Sequence, residues 1–148
     1  MSSTSCLPEV AVPAWLEAAP VVAIDFETYY SAQYSVQVMG YTQYVEDPRF
    51  HAELVAVSDG EQAFAVPPDR FPWAVLHGRP LVAHNAAFDR AVFLRLQRSG
   101  AIPAEIVPAS WDDTAALCAY LAGPRALDEA ASVLLGLTLD KGVRARMR

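Results

Sequence analysis

Cysteine is scarce. Cys6 and Cys118 are the only two in 148 residues, too few and too far apart for a disulfide framework or a zinc pattern. A reducing, cytoplasmic setting is the expectation. No apolar run reaches the roughly 18 residues that a membrane helix needs, so no membrane association is expected. The opening stretch MSSTSCLPEVAVPAW has no basic segment followed by an apolar one, and a secretory signal is not expected. Positive charge is also short: eleven Lys and Arg stand against seventeen Asp and Glu, for a net charge of -6. That balance argues against a broad nucleic-acid-binding face, since phosphate contacts want Lys and Arg. Four of the eleven, Lys141, Arg144, Arg146 and Arg148, crowd the last eight positions and read as a solvated end. An acidic protein can still act on a polyanion where metal ions supply the positive charge. Internal repeats and low-complexity tracts are absent.

What is present fits a soluble globular domain: 53% apolar and 19% charged residues, and enough chain to bury a real core. Residues 1–14 read as a loose lead-in and 15–148 as one domain. VVAIDFET is a buried strand, followed by a loop passing into extended structure. The segment 40–66 reads as two or three strands, with EDP as one turn and SDGE as a hairpin turn. PPDRFPWAVLHG predicts a short Pro-initiated helix, and RPLVAHN a short strand. Three helices follow. The first spans 86–98, with Asn85 as N-cap and Phe88, Ala91, Val92 and Leu96 as its apolar face. The second starts at Ser110 with Asp113 as its capping partner and stops at Gly123-Pro124. The third runs through RALDEAASVLLGL, with Leu127, Ala130, Ala131 and Leu134 on one face and Gly136 as cap. Strands first and helices later predict a mixed α/β sheet flanked by helices. Trp15, Trp73 and Trp111 read as core or edge packing, and Cys118 as a buried, inert thiol.

The unusual feature is two carboxylates at a strand end. Side chains two apart on a strand share a face, roughly 6–7 Å from each other, so Asp25 and Glu27 repel, and each resists burial. A third acid, Asp89, falls in the first turn of the helix that follows the strand ending in His84-Asn85. Alone, Asp-x-Glu is a solvated strand terminus, Asp89 a first-turn acid complementing the helix dipole, and His84-Asn85 a helix-start cap. Together, on two parallel neighbouring strands, they would bring three carboxylates to one cleft at the strand C-termini, where sites form in open sheets. Carboxylate-only donors suit Mg²⁺ or Mn²⁺. Two such ions about 4 Å apart can clamp a phosphodiester.

At these residues the chain resembles the 3′–5′ exonuclease (proofreading) domain of family A, phage-type DNA polymerases, within the DnaQ-like or DEDD exonuclease superfamily. IDFET resembles the first motif and HNAAFD the second. The intervening YSVQVMGYTQYVEDPRFHAELVAVSDG and the following SWDDTAALCAYLAGPRALDEAASVLLGL extend the likeness over about residues 19 to 142. The resemblance implies a ribonuclease H-like fold and two-metal hydrolysis at the 3′ end of single-stranded DNA or of RNA, with a polymerase domain encoded downstream as the expected partner. It implies that Asp25 bridges two Mg²⁺ or Mn²⁺ ions, that Glu27 holds the ion activating water, and that Asp89 supports the other. Asn85 and Phe88 would position the terminal nucleotide, and Thr28 and Tyr29 would contact its base or sugar. The chain departs from the pattern in one respect. The third motif, a Tyr or His followed within a few residues by a fourth metal-binding Asp, is missing: four residues past Tyr120 stands Pro124, and none of His51, His77 and His84 precedes a suitable acid. Asp112 and Asp113 read as caps and Asp128 as a surface charge. The expectation is a domain cut short at its C-terminal side, one sheet face left uncovered, and weak or no activity in this chain alone. A non-catalytic nucleic-acid- or polymerase-binding module with the same fold and an RNA-trimming exonuclease are the alternatives.

Overall fold

In a computed structural model of the chain, residues 10–139 are described. A short helix α1 (Ala14–Ala18) precedes strand β1 (Val22–Thr28), and two short helices follow, α2 (Val36–Met39) and α3 (Tyr41–Glu46). Strands β2 (Ala52–Ser58) and β3 (Ala63–Val66) form a hairpin. Two 3₁₀ turns, Pro68–Arg70 and Trp73–Leu76, lead to β4 (Pro80–Ala83) and helix α4 (Ala86–Arg98). Strand β5 (Ser110–Asp113) runs directly into α5 (Thr114–Tyr120), and α6 (Leu127–Leu135) ends the described chain. The five strands form one mixed sheet in the order β3-β2-β1-β4-β5. Strand β1 is antiparallel to β2 and parallel to β4, and β4 is parallel to β5.

Alternation along the strands divides the sheet into unlike faces. Val22, Ile24 and Phe26 of β1, Val55 and Val57 of β2, and Leu81 and Ala83 of β4 are buried together with Val92, Phe93 and Leu96 of α4 in one core. Aromatic rings tie that core together: Phe93 meets Trp73 at 5.9 Å and Trp111 at 5.6 Å, both edge-on, the geometry that ring quadrupoles prefer. The opposite face carries Ala23, Asp25, Ala56, Ser58, Ala63 and Val82, half-buried or exposed, around a shallow depression of about 280 Å³. Helices α5 and α6 do not complete it. Their buried residues, Ala115, Cys118, Ala130 and Ala131, lie outside the main core, and Tyr120 and Leu135 stay 86% and 70% exposed. No helix among the described residues is long and apolar enough to cross a membrane.

The expected mixed sheet, the SDGE hairpin, the 86–98 helix and the Gly136 cap are all present. Five local readings are corrected. The segment 36–46 is helical rather than extended: Ser35 caps α2 by accepting from the Val38 N–H, and Tyr44 and Val45 are both buried, which consecutive strand residues on a one-sided sheet do not do. The helix expected in PPDRFPWAVLHG, 67–78, is two 3₁₀ turns, because Pro72 falls between them and cannot donate to a continuing α-helix. Ser110–Asp113 is a strand paired with β4, so the cap of the following helix is Asp113 itself, accepting from Ala115 and Ala116 N–H; Asp112 caps nothing and sits exposed on β5. Asn85 does not cap α4 with its side chain; it takes a left-handed conformation at φ 73°, ψ 56°, which Asn tolerates better than most residues. On α6, Ala130 and Ala131 are buried as expected, but Leu127 and Leu134 are exposed. The basic tail lies outside the described residues.

Candidate active site

Strands β1 and β4 are parallel neighbours, so their C-terminal ends lie at one edge of the sheet. Asp25 and Glu27 leave β1 on the face opposite Ile24 and Phe26, facing Ala56 and Leu54 across the β2 pairing. The register breaks between Glu27 and Thr28, a bulge of the kind that re-aims side chains beside sites. Asp89, one turn into α4, comes from the covered face and reaches β1 at the same point. Its Oδ1 accepts the Phe26 N–H at 3.1 Å, the peptide group between the two acids.

Asp89 is only 2% exposed, and no other charged residue is buried among the described residues. Burial, then the charge of Asp25, pushes its carboxyl up to about 7, against the pull of the Phe26 N–H and with Asp113 as a further repulsive neighbour. A buried acid destabilised by the acid beside it is a group that a cation would satisfy.

Asp113, at the tip of β5, anchors the helix starts. Its Oδ1 accepts the N–H of Asn85 at 3.0 Å, of Ala115 at 2.8 Å and of Ala116 at 3.3 Å. Burial pushes its carboxyl up, but these backbone donors outweigh burial and hold it below the ordinary carboxylate value. One side chain thus fixes where α4 and α5 begin. The cap on α5 is legible in the sequence, but the tie to Asn85 is not, since it joins residues 28 positions apart. His84 bridges likewise, with Nδ1 3.0 Å from Thr114 Oγ1 and Nε2 2.6 Å from the Arg125 carbonyl. On geometry, Nε2 carries the proton, since a carbonyl can only accept.

Asp25 borders the shallow depression on the open sheet face, with Ala23, His84 and Thr114. Glu27 lines a neighbouring cleft of about 440 Å³, together with Thr28, Asn85 and Phe88. Five of the seven residues singled out from the sequence therefore gather along one edge: Asp25 on the depression, and Glu27, Thr28, Asn85 and Phe88 in the cleft. Asp89 is buried directly beneath. Tyr29 is not among the cleft walls; it stacks on Tyr34 at 6.0 Å, and its neighbour Tyr30 lines the cleft instead. The Thr28 hydroxyl is engaged internally. The Tyr44 hydroxyl lies 2.5 Å from the Tyr29 carbonyl and 2.7 Å from Thr28 Oγ1; having one hydrogen, it donates to the carbonyl and accepts from Thr28. Tyr41, Tyr44 and Gln37, also in the cleft, were not identified from sequence, because the segment carrying them was read as extended.

As the side chains stand, no three His, Cys, Asp or Glu residues among the described residues are grouped tightly enough to hold a metal ion. The donor types nonetheless suit a hard divalent cation: oxygen ligands only, two on one strand tip and one buried beneath.

No family model matches the chain, and no curated protein matches it. Solved structures do. Escherichia coli RNase D, described as an exoribonuclease involved in structured RNA processing, is 23% identical over 86% of this chain and 31% of its own, with a TM-score of 0.57. Brucella melitensis NrnC with bound Mg²⁺ is 20% identical over 92% and 61%, with a TM-score of 0.58. A nuclease in its apo form is 18% identical over 90% and 61%, with a TM-score of 0.60. The chain thus spans between about a third and three fifths of these proteins' lengths. Identities this low speak to architecture, and on architecture the chain is an α/β protein with the ribonuclease H-like mixed sheet that these nucleases share.

Proposed function

We propose that residues 15–148 form a divalent-metal-dependent 3′–5′ exonuclease domain acting on single-stranded nucleic acid ends. The observation that carries this reading is the convergence at the tip of β1: Asp25 and Glu27 on one face, and the buried Asp89 carboxylate hydrogen-bonded to the peptide between them. Asp25, Glu27 and Asp89 would hold Mg²⁺ or Mn²⁺, two ions in the full reading; when bound, these supply Lewis-acid charge at the scissile phosphate. The chain's own residues do the rest. The Phe26 N–H orients the Asp89 carboxylate, Asp113 sets the start of α4, and the cleft beside Glu27 receives the nucleoside, with Thr28, Tyr30, Asn85 and Phe88 among its walls.

Two substrates have support. The motif resemblance favours a DNA 3′ end presented by a polymerase domain encoded downstream, as in proofreading. The fold likeness to an exoribonuclease favours RNA trimming at least as strongly. A binding module without hydrolysis is the reading favoured by the spacing of the acids, no three of which are grouped tightly enough to hold a metal ion among the described residues. The test is hydrolysis of 3′-labelled single-stranded DNA and RNA in Mn²⁺ by the wild type and by Asp25→Ala. Slow removal of 3′ nucleotides, abolished in Asp25→Ala, is expected; equal rates in both proteins would remove the metal assignment, and binding without any release would leave the module.

A further inference from the structure

The segment between β1 and β2 roofs the cleft, and its placement is braced from outside. The Arg95 Nε of α4 donates to the Val45 carbonyl at 2.9 Å, and Arg98 pairs with Glu46, so the end of α3 is fastened to α4. At its start, Tyr41 lies over the cleft. Its hydroxyl donates to Asn85 Oδ1 at 3.0 Å, and its ring tilts against Phe88 at 6.1 Å between centroids. The residues lining this cleft include aromatic rings, hydroxyls, the Gln37 and Asn85 amides and a single charge, Glu27, but no Lys or Arg. Such a wall cannot neutralise a phosphate. It suits an uncharged aromatic ligand with hydrogen-bonding edges, one nucleobase and its sugar.

Resting on the function proposed above, we propose that Tyr41 is a specificity-determining residue of this site. Its ring is the stacking surface for the base of the terminal nucleotide. Its hydroxyl occupies Asn85 Oδ1, so that the donor end of that amide is what remains for acceptors on the base or sugar. Every base has a π-face and ring or carbonyl acceptors, so recognition is of a nucleoside and tolerates sequence.

The test is equilibrium binding, by NMR titration of the full chain in Mg²⁺ to meet the phosphate charge, of adenosine 5′-monophosphate and of ribose 5-phosphate, which lacks the base. Stacking is worth about 1–3 kcal/mol per base, so Tyr41→Ala is expected to weaken adenosine 5′-monophosphate binding by about 5-fold or more while leaving ribose 5-phosphate binding unchanged. Tyr41→Phe, which keeps the ring and loses the Asn85 bond, is expected to lose only a few-fold. Tyr41→Leu keeps apolar bulk without a π-face, serves where the alanine variant fails to fold, and is expected to behave as Tyr41→Ala. The proposal is overturned if the wild type does not bind adenosine 5′-monophosphate, if Tyr41→Ala or Tyr41→Leu binds it equally well, or if ribose 5-phosphate binding falls in parallel. Failure of the exonuclease reading would show separately, as Tyr41-dependent nucleotide binding in a protein that releases no 3′ nucleotides in Mn²⁺.

Discussion

Asp89 is the residue on which the site's electrostatics turn. Its folded carboxyl titrates near 7, whereas in the unfolded chain it returns to the ordinary aspartate value. Between those two pH values the folded chain holds a proton that the unfolded chain has released, so the metal-free protein loses stability as pH rises through that interval and levels off above it. The shift is about three units and sets a ceiling of roughly 4 kcal/mol. Asp89→Asn keeps an oxygen for the Phe26 N–H and cannot ionise. In EDTA at pH 8 it is expected to melt above the wild type by up to that ceiling, with the advantage shrinking to nothing near pH 4. Mn²⁺ should raise the melting temperature of the wild type at pH 8, less so at pH 6, and not that of Asp89→Asn. An Asn variant melting below the wild type in EDTA at pH 8 would mean that Asp89 is ionised and satisfied without a cation.

Among the elements, some boundaries are written in the chain and some are not. Helix α4 begins and ends where its apolar spacing and the SG stop place it, because helical periodicity is a local property. Helix α6 ends at Gly136, whose φ of 66° is the left-handed conformation that glycine adopts without a Cβ penalty. Gly136→Ala is expected to cost about 1 kcal/mol, read as a lower melting temperature with an unchanged circular dichroism spectrum at 20 °C; no loss would mean that the helix end does not depend on this cap. Strand β5 and helices α2 and α3 differ from their sequence expectation for the opposite reason. SWDD satisfies a capping pattern, yet pairing with β4 takes those four residues into the sheet. Tyr41 and Tyr44 look like strand residues, yet they turn helical because Tyr44 is buried beneath the cleft and α3 is tied to α4.

Over the whole molecule, one core serves one face of the sheet. The other face, together with α5 and α6, leaves apolar surface in water: Leu117, Tyr120, Leu121, Val133 and Leu135 are all more than half exposed. Side chains that contact little contribute little to stability, but large apolar side chains left in water in this number favour association and dye binding. Replacing Leu121 and Leu135 together by Gln is expected to move the melting temperature by no more than about 2 °C while lowering the fluorescence of bound anilinonaphthalene sulfonate and raising the concentration at which the protein scatters light. A large fall in melting temperature would show instead that these leucines are packed in solution.

The amino-acid sequence alone determined the class of the protein and the identity of its acids, since strand alternation places Asp25 beside Glu27 and helical spacing puts Asp89 in the first turn of α4. It did not determine the depth of Asp89, which helical spacing alone makes an ordinary first-turn acid. Phe26 and Asp89 are 63 positions apart, and Tyr41 and Asn85 are 44 apart; only the pairing of β1 with β4 and the packing of α3 on α4 bring them together. Burial, not composition, turns an ordinary aspartate into one that titrates near neutrality, and burial belongs to the tertiary fold.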